Sequence, residues 1–118
     1  MPMEKLQNYY DWGFLMYGLF EDDKLAGYVS LAKQPEGHYD LNNLAVLPDK
    51  RHCAYGGRLV DFCKQKVKEL GADKIRIGII EESWIIKNFY EYHGFVHIGI
   101  EKYDHLPFTV GRMEWTVK

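Results

Sequence analysis

Hydrophobic positions follow two rhythms along this chain, and the change between them separates strands from helices. Gly13–Phe20 is apolar nearly throughout, the pattern of a buried strand. Leu25, Gly27, Val29 and Leu31 then alternate with Ala26, Tyr28 and Ser30, a two-residue period. The polar stretch Glu21-Asp22-Asp23-Lys24 lies between them, so the two runs are expected to fold back as a hairpin. Gln34-Pro35-Glu36-Gly37 makes a second turn. Tyr39–Leu47 then forms a strand that ends at Pro48, which has no N–H to continue a ladder.

From Gly57 the period lengthens. Leu59, Val60, Cys63, Val67 and Leu70 share one helical face, with Asp61, Lys64, Lys68 and Glu69 on the other and Gly71 at the C-cap position. Ile75–Ile80 is a short β-branched run of the kind found in central strands reached through a helical crossover. Ser83 is placed to cap a second helix running through His93 and closed by Gly94, and Phe95–Ile100 and Phe108–Val117 read as two further strands. Residues 1–12 are polar and aromatic, with a short helix expected over Glu4–Tyr10. The core order β-β-β-α-β-α-β-β predicts an α+β fold built on an α/β-type mixed sheet, with one parallel, right-handed step. No repeat or Pro/Gly/Ser linker interrupts it, so residues 1–118 are expected to form a single domain.

Composition narrows the classes. Hydrophobic residues make up 47% of the 118 and aromatics 15%, enough for a packed core. With 15 basic and 17 acidic side chains the net charge is −2, which argues against nucleic acid as a partner. The alternating Lys64, Lys66 and Lys68 read as a solvated helix face. Cys53 and Cys63 are separated by nine residues, neither a redox pair nor a zinc spacing, and Cys63 falls on the apolar helix stripe. The five histidines, His38, His52, His93, His97 and His105, show no paired ligand spacing, so no metal is expected. No apolar run is long enough to cross a bilayer and no signal-peptide pattern opens the chain, so a cytoplasmic, reduced setting is expected, with no membrane partner.

The chemistry-bearing stretch runs from Leu44 to Leu59, where a strand passes through small residues into an amphipathic helix. The first turn of a helix leaves N–H groups without acceptors, and the helix dipole adds partial positive charge there. Small residues let an anion approach the backbone, and Arg51 and Arg58 add charge. Neither the dinucleotide G-x-G-x-x-G nor the nucleotide G-x-x-x-x-G-K-[ST] motif is present.

Val46-x-Pro48-x-x-Arg51 followed by Arg51-His52-Cys53-Ala54-Tyr55-Gly56 resembles the coenzyme A signature of the GNAT superfamily of N-acetyltransferases. That signature reads Val-x-Pro-x-x-Arg, then [Gln/Arg]-x-x-Gly-x-[Gly/Ala]; Ala54 stands where the family usually has glycine. Phe89-Tyr90-Glu91-Tyr92-His93-Gly94-Phe95 resembles the family's second block, [Leu/Phe]-Tyr-x-x-x-Gly-Phe, in the right order and at the right distance. The resemblance covers roughly residues 13–117.

It implies an acetyl-CoA-dependent N-acetyltransferase acting on a primary amine of a small molecule or peptide by direct attack in a ternary complex. Coenzyme A would be held by the main chain of Arg51, His52, Cys53, Ala54, Tyr55, Gly56 and Gly57, and by strand amides near Ala45 and Val46 where two parallel strands part. Tyr90 is implied as the acid for the leaving thiolate, against its alternative as a core tyrosine on an aromatic face. Asp40 and Glu81, with Glu82 beside it, are candidate acceptors of the amine proton or attractors of a cationic amine, against plain solvated acids. Ser83 either contacts the cofactor or only caps its helix. Relatives usually carry a strand and two helices ahead of the hairpin where this chain has about 12 residues, which implies an unusually open acceptor side, a homodimer that completes it, or a shortened N-terminus. A non-catalytic acyl-CoA-binding or partner-binding module on the same fold is the alternative.

Overall fold

The computed structural model describes residues 3–6, 14–48 and 54–117. Nine elements follow the chain: β1 (Met3–Leu6), β2 (Phe14–Glu21), β3 (Lys24–Lys33), β4 (Tyr39–Val46), α1 (Tyr55–Glu69), β5 (Lys74–Ile80), α2 (Trp84–Tyr92), β6 (Val96–Lys102) and β7 (Thr109–Thr116). The seven strands form one mixed sheet in the order β1-β2-β3-β4-β5-β7-β6. The expected α+β order is present, with one strand added in front. The helix expected over Glu4–Tyr10 is corrected over its described part: Met3–Leu6 is extended and pairs antiparallel with β2, from Met3↔Leu19 to Leu6↔Met16. So short a helix has almost no stability of its own, whereas the edge of β2 supplies partners for the backbone groups that face it. Residues 7–10 lie outside the described part.

Local chemistry sets the remaining boundaries. Asp22 and Asp23 both adopt positive φ, 53° and 66°, the two-residue hairpin turn whose twist matches its strands. Helix α1 starts at Tyr55, four residues before the first stripe residue Leu59, and is capped at Leu70, with Gly71 at φ 81°. Ser83 caps α2 by accepting a hydrogen bond from the Ile86 amide at 3.4 Å.

The core lies between the sheet and the two helices. Alternation places Tyr17, Val29, Leu31, Tyr39, Leu41, Ile75, Ile77 and Met113 beneath α1 and α2, against Leu59, Val60, Cys63, Val67, Tyr90 and Phe95. The helices themselves meet closely: a Cβ on Gly57 would stand 2.9 Å from the His93 ring, so only glycine admits this approach without displacing the imidazole. Among the described residues no helix covers the opposite face of the sheet, where Asp40, Arg76, Arg112 and Glu114 project. No described helix is long and apolar enough to cross a membrane.

Candidate functional site

Strands β4 and β5 are neighbours and parallel, yet they share only two ladder pairs, Tyr39↔Ile75 and Asp40↔Arg76. Past that point β4 stays with β3, reaching Ala45↔Tyr28 and Val46↔Gly27, and β5 stays with β7 as far as Ile80↔Val110. The result is a wedge with Asp40 and Arg76 at its apex. The stretch Leu41–Val46 along one wall runs about 20 Å at the usual strand rise. A bulge in β4 opposite Val29 accompanies the departure, since Tyr28 and Ser30 face Ala45 and Asn42. Parting parallel strands are where open sheets take ligands, at the carboxyl ends.

Helix α1 begins at that carboxyl end. Its N-cap, Ala54, offers no side-chain acceptor, and its first turn holds no acidic residue. The helix therefore presents amide donors and its positive dipole end beside the mouth of the wedge. Ala54 itself lies in the left-handed region, at φ 60° and ψ 24°, a conformation that favours glycine. The Tyr55 hydroxyl donates to the Glu21 carboxylate, tying the helix start to the β2–β3 hairpin. Gly56 and Gly57 face Phe89 and His93 of the neighbouring helix end. Arg51, His52 and Cys53 lie outside the described residues.

Tyr90 is on the helix side of the sheet, buried in edge-to-face contact with Phe89 and Phe95. Burial pushes its hydroxyl up to about 12, with nearby Cys63 adding to the effect. It is a proton donor at any ordinary pH, and its hydroxyl has no hydrogen-bond partner among the described residues. Helix α2 runs back from the end of β5, so Tyr90 lies about 10 Å down from Ser83 toward the apex.

Asp40 is on the open face. Its carboxylate stands 3.3 Å from Nε2 of His38, a buried imidazole whose Nδ1 lies 3.8 Å from Glu36. Glu81 is differently placed: Lys87 reaches one carboxylate oxygen and His97 the other, each at 2.7 Å. Those hydrogen bonds, from Lys87 first and then His97, hold its carboxyl below the usual carboxylate range, which makes it a weak proton acceptor. Ser83 has the capping role already described. The structure thus gathers Ala45, Val46 and the start of α1 about the wedge, with Asp40 at its apex, and ties Glu81 into a separate ion cluster. Sequence reasoning gave no role to Arg76 and Arg112, whose distinguishing contacts are made across strands, or to His38, whose neighbours Glu36 and Asp40 are local but whose burial no spacing announces. Among the described residues no group of three or more His, Cys, Asp or Glu is arranged to hold a metal ion.

The model of the acetyltransferase (GNAT) family matches residues 2–95. The chain belongs to the GNAT acetyltransferase family. Its fold is shared with solved members. One is an acetyltransferase of the GNAT family from Desulfovibrio desulfuricans, 26% identical, with a TM-score of 0.81 over 90% of this chain and 70% of that one. A Bacillus subtilis acetyltransferase in complex with CoA is 23% identical, with a TM-score of 0.87 over 98% of both chains. A GNAT family acetyltransferase from Elizabethkingia anophelis with acetyl-CoA bound is 19% identical, with a TM-score of 0.84 over 91% of this chain and 78% of that one. Among curated proteins, none matches this chain in sequence.

Proposed function

We propose that this GNAT acetyltransferase moves an acetyl group from acetyl-CoA to a primary amine, with both substrates bound at once. The observation that carries the reading is the β4–β5 wedge opening beside the uncapped start of α1. The pyrophosphate of the donor suits the amides at the helix mouth, and its pantetheine arm suits the β4 wall of the wedge near Ala45 and Val46. Ala54 holds a left-handed conformation that glycine, the residue the family signature usually has there, adopts without strain.

In the transfer, the amine nitrogen bonds to the thioester carbonyl carbon and the carbon–sulfur bond breaks, giving an amide and free thiol. The amine proton goes to Asp40, which His38 holds at 3.3 Å on the open face. The proton taken up by sulfur comes from Tyr90, kept protonated by its burial on the helix face. Between Asp40 and Glu81, Asp40 is the better base, because Glu81 is engaged by Lys87 and His97.

Calorimetry with coenzyme A, followed by thiol release from acetyl-CoA across a panel of amines, tests the reading. The expected result is CoA binding together with turnover. In Tyr90→Phe, kcat should fall about a hundredfold or more while CoA affinity and the aromatic packing persist. Absence of any heat or thermal shift with coenzyme A would sink the proposal. Tight binding without turnover on any amine would instead identify a non-catalytic CoA-binding module.

A further inference from the structure

Asp40 and Arg76 are cross-strand neighbours at the wedge apex, project from the same face, and carry opposite charge, yet they do not pair with each other. Each is drawn the other way. Asp40 turns to His38, while Arg76 places Nε 2.8 Å from Glu114, which Lys74 also approaches. The terminal nitrogens of Arg76 are left without a hydrogen-bond partner among the described residues. A second guanidinium lies alongside. Arg112 is anchored through Nε on Glu101 and through Nη2 on the Tyr103 hydroxyl. Its Nη1 reaches over β5 at Gly78, where a Cβ would stand only 3.3 Å away, so the missing side chain is what lets the arginine lie there.

These groups line one cleft of about 420 Å³ on the helix-free face. Glu36, His38 and Asp40 form its acidic end and Arg76 and Arg112 its basic flank, with Glu101 neutralising Arg112. Adjacent opposite charges normally collapse onto one another. Here separate partners hold them apart, so a ligand bearing both charges can bridge them without first breaking an ion pair between them.

We propose that the acceptor is a free amino acid, its amine on Asp40 and its carboxylate on Arg76 with Arg112 behind. This deepens the acetyl-transfer reading and rests on it for the direction from which the amine meets the thioester. A purely cationic polyamine would offer no acceptor to the terminal nitrogens of Arg76, and a neutral amine would use only half the cleft.

The test compares the twenty L-amino acids with their carboxamides in the thiol-release assay, and in calorimetric titrations of the CoA-loaded protein. The expected result is a kcat/KM at least tenfold higher for the best amino acid than for its amide, with the difference mainly in KM. Arg76→Gln should lower that acid-to-amide ratio at least tenfold, and Arg76→Lys should restore part of it, which loss of folding would not do. Amides or carboxylate-free amines preferred over the acids would overturn the proposal while leaving acetyl transfer intact. An acid-to-amide ratio unmoved in Arg76→Gln would overturn it equally. Selective binding of amino acids without turnover would support the cleft assignment and remove the catalytic reading, whereas binding of neither series would overturn the proposal.

Discussion

Replacing Ala54 by glycine should stabilise this protein, an unusual direction for a change to glycine. Ala54 sits at φ 60° and ψ 24° at the N-cap of α1. An L-residue in that region brings its Cβ against the following carbonyl, at a cost of about 1–2 kcal/mol. Glycine escapes that clash but returns about 0.5–1 kcal/mol through the greater freedom of the unfolded chain. The net gain is about 0.5–1 kcal/mol, or roughly 2–5 °C in Tm for a domain of this size.

Valine makes the control, because a β-branched side chain at positive φ is worse than alanine. Thermal melts followed by circular dichroism should therefore rank glycine above alanine above valine. The alanine methyl also stands at the mouth of the helix, so Ala54→Gly should bind coenzyme A at least as tightly as the parent. A Tm for Ala54→Gly below the parent, or for Ala54→Val equal to it, would refute the strained geometry at this junction.

The remaining predictions concern the base and the response to alkali. Asp40→Asn should lower kcat/KM about a hundredfold at neutral pH and Glu81→Gln less than tenfold, because Glu81 is already committed to Lys87 and His97; steady-state kinetics on the same acceptor, with the reverse order fatal to Asp40 as base, decides. Burial raises the Cys63 thiol from 9.0 to about 12 and the Tyr90 hydroxyl from 10.0 to about 12. Both groups stay protonated longer folded than unfolded, so the stability they contribute is intact below pH 9 and is lost as pH rises through 12. For Cys63 the full loss is about 4 kcal/mol. Chemical denaturation at pH 8 to 11 should show stability falling with pH, and Cys63→Ala should flatten that fall while lowering the starting value.

Much of the fold was legible because it rests on patterns only a few residues long. The polar turn before β3, the apolar stripe of α1 from Leu59 to Val67 and the glycines at 71 and 94 are local signals that the structure uses as expected. Strand β3 itself does not alternate, since Ala26 and Ser30 are buried as fully as Val29 and Leu31, and Leu70 is exposed at the helix end. Strand β1 was not legible: four residues are too few to show a period, and their strand character comes from β2. The wedge was not legible from periodicity either, since its shape depends on how far β4 and β5 stay in register after a crossover of more than twenty residues. His38 illustrates the limit most clearly. No spacing marks it, yet burial between Glu36 and Asp40 makes it the residue that orients the proposed base.

The sheet also resolves a conflict in what the two proposed proton-handling groups need. A phenol that must remain protonated benefits from a poorly hydrated setting, and Tyr90 has one among Phe89, Phe95 and Cys63 on the helix side. A carboxylate that must meet an incoming amine needs access to solvent, and Asp40 has it on the face that no described helix covers. Placed on one side, the two groups would share one environment and one of them would be mistuned. Across the sheet they are separated by the backbone itself, and the only gap in that partition among the described strands is where β4 and β5 part. In the proposed mechanism acyl transfer is confined to the wedge by the same register loss that opens it, and a substitution that zips the ladder beyond Asp40 and Arg76 should abolish transfer even with every side chain of the site in place.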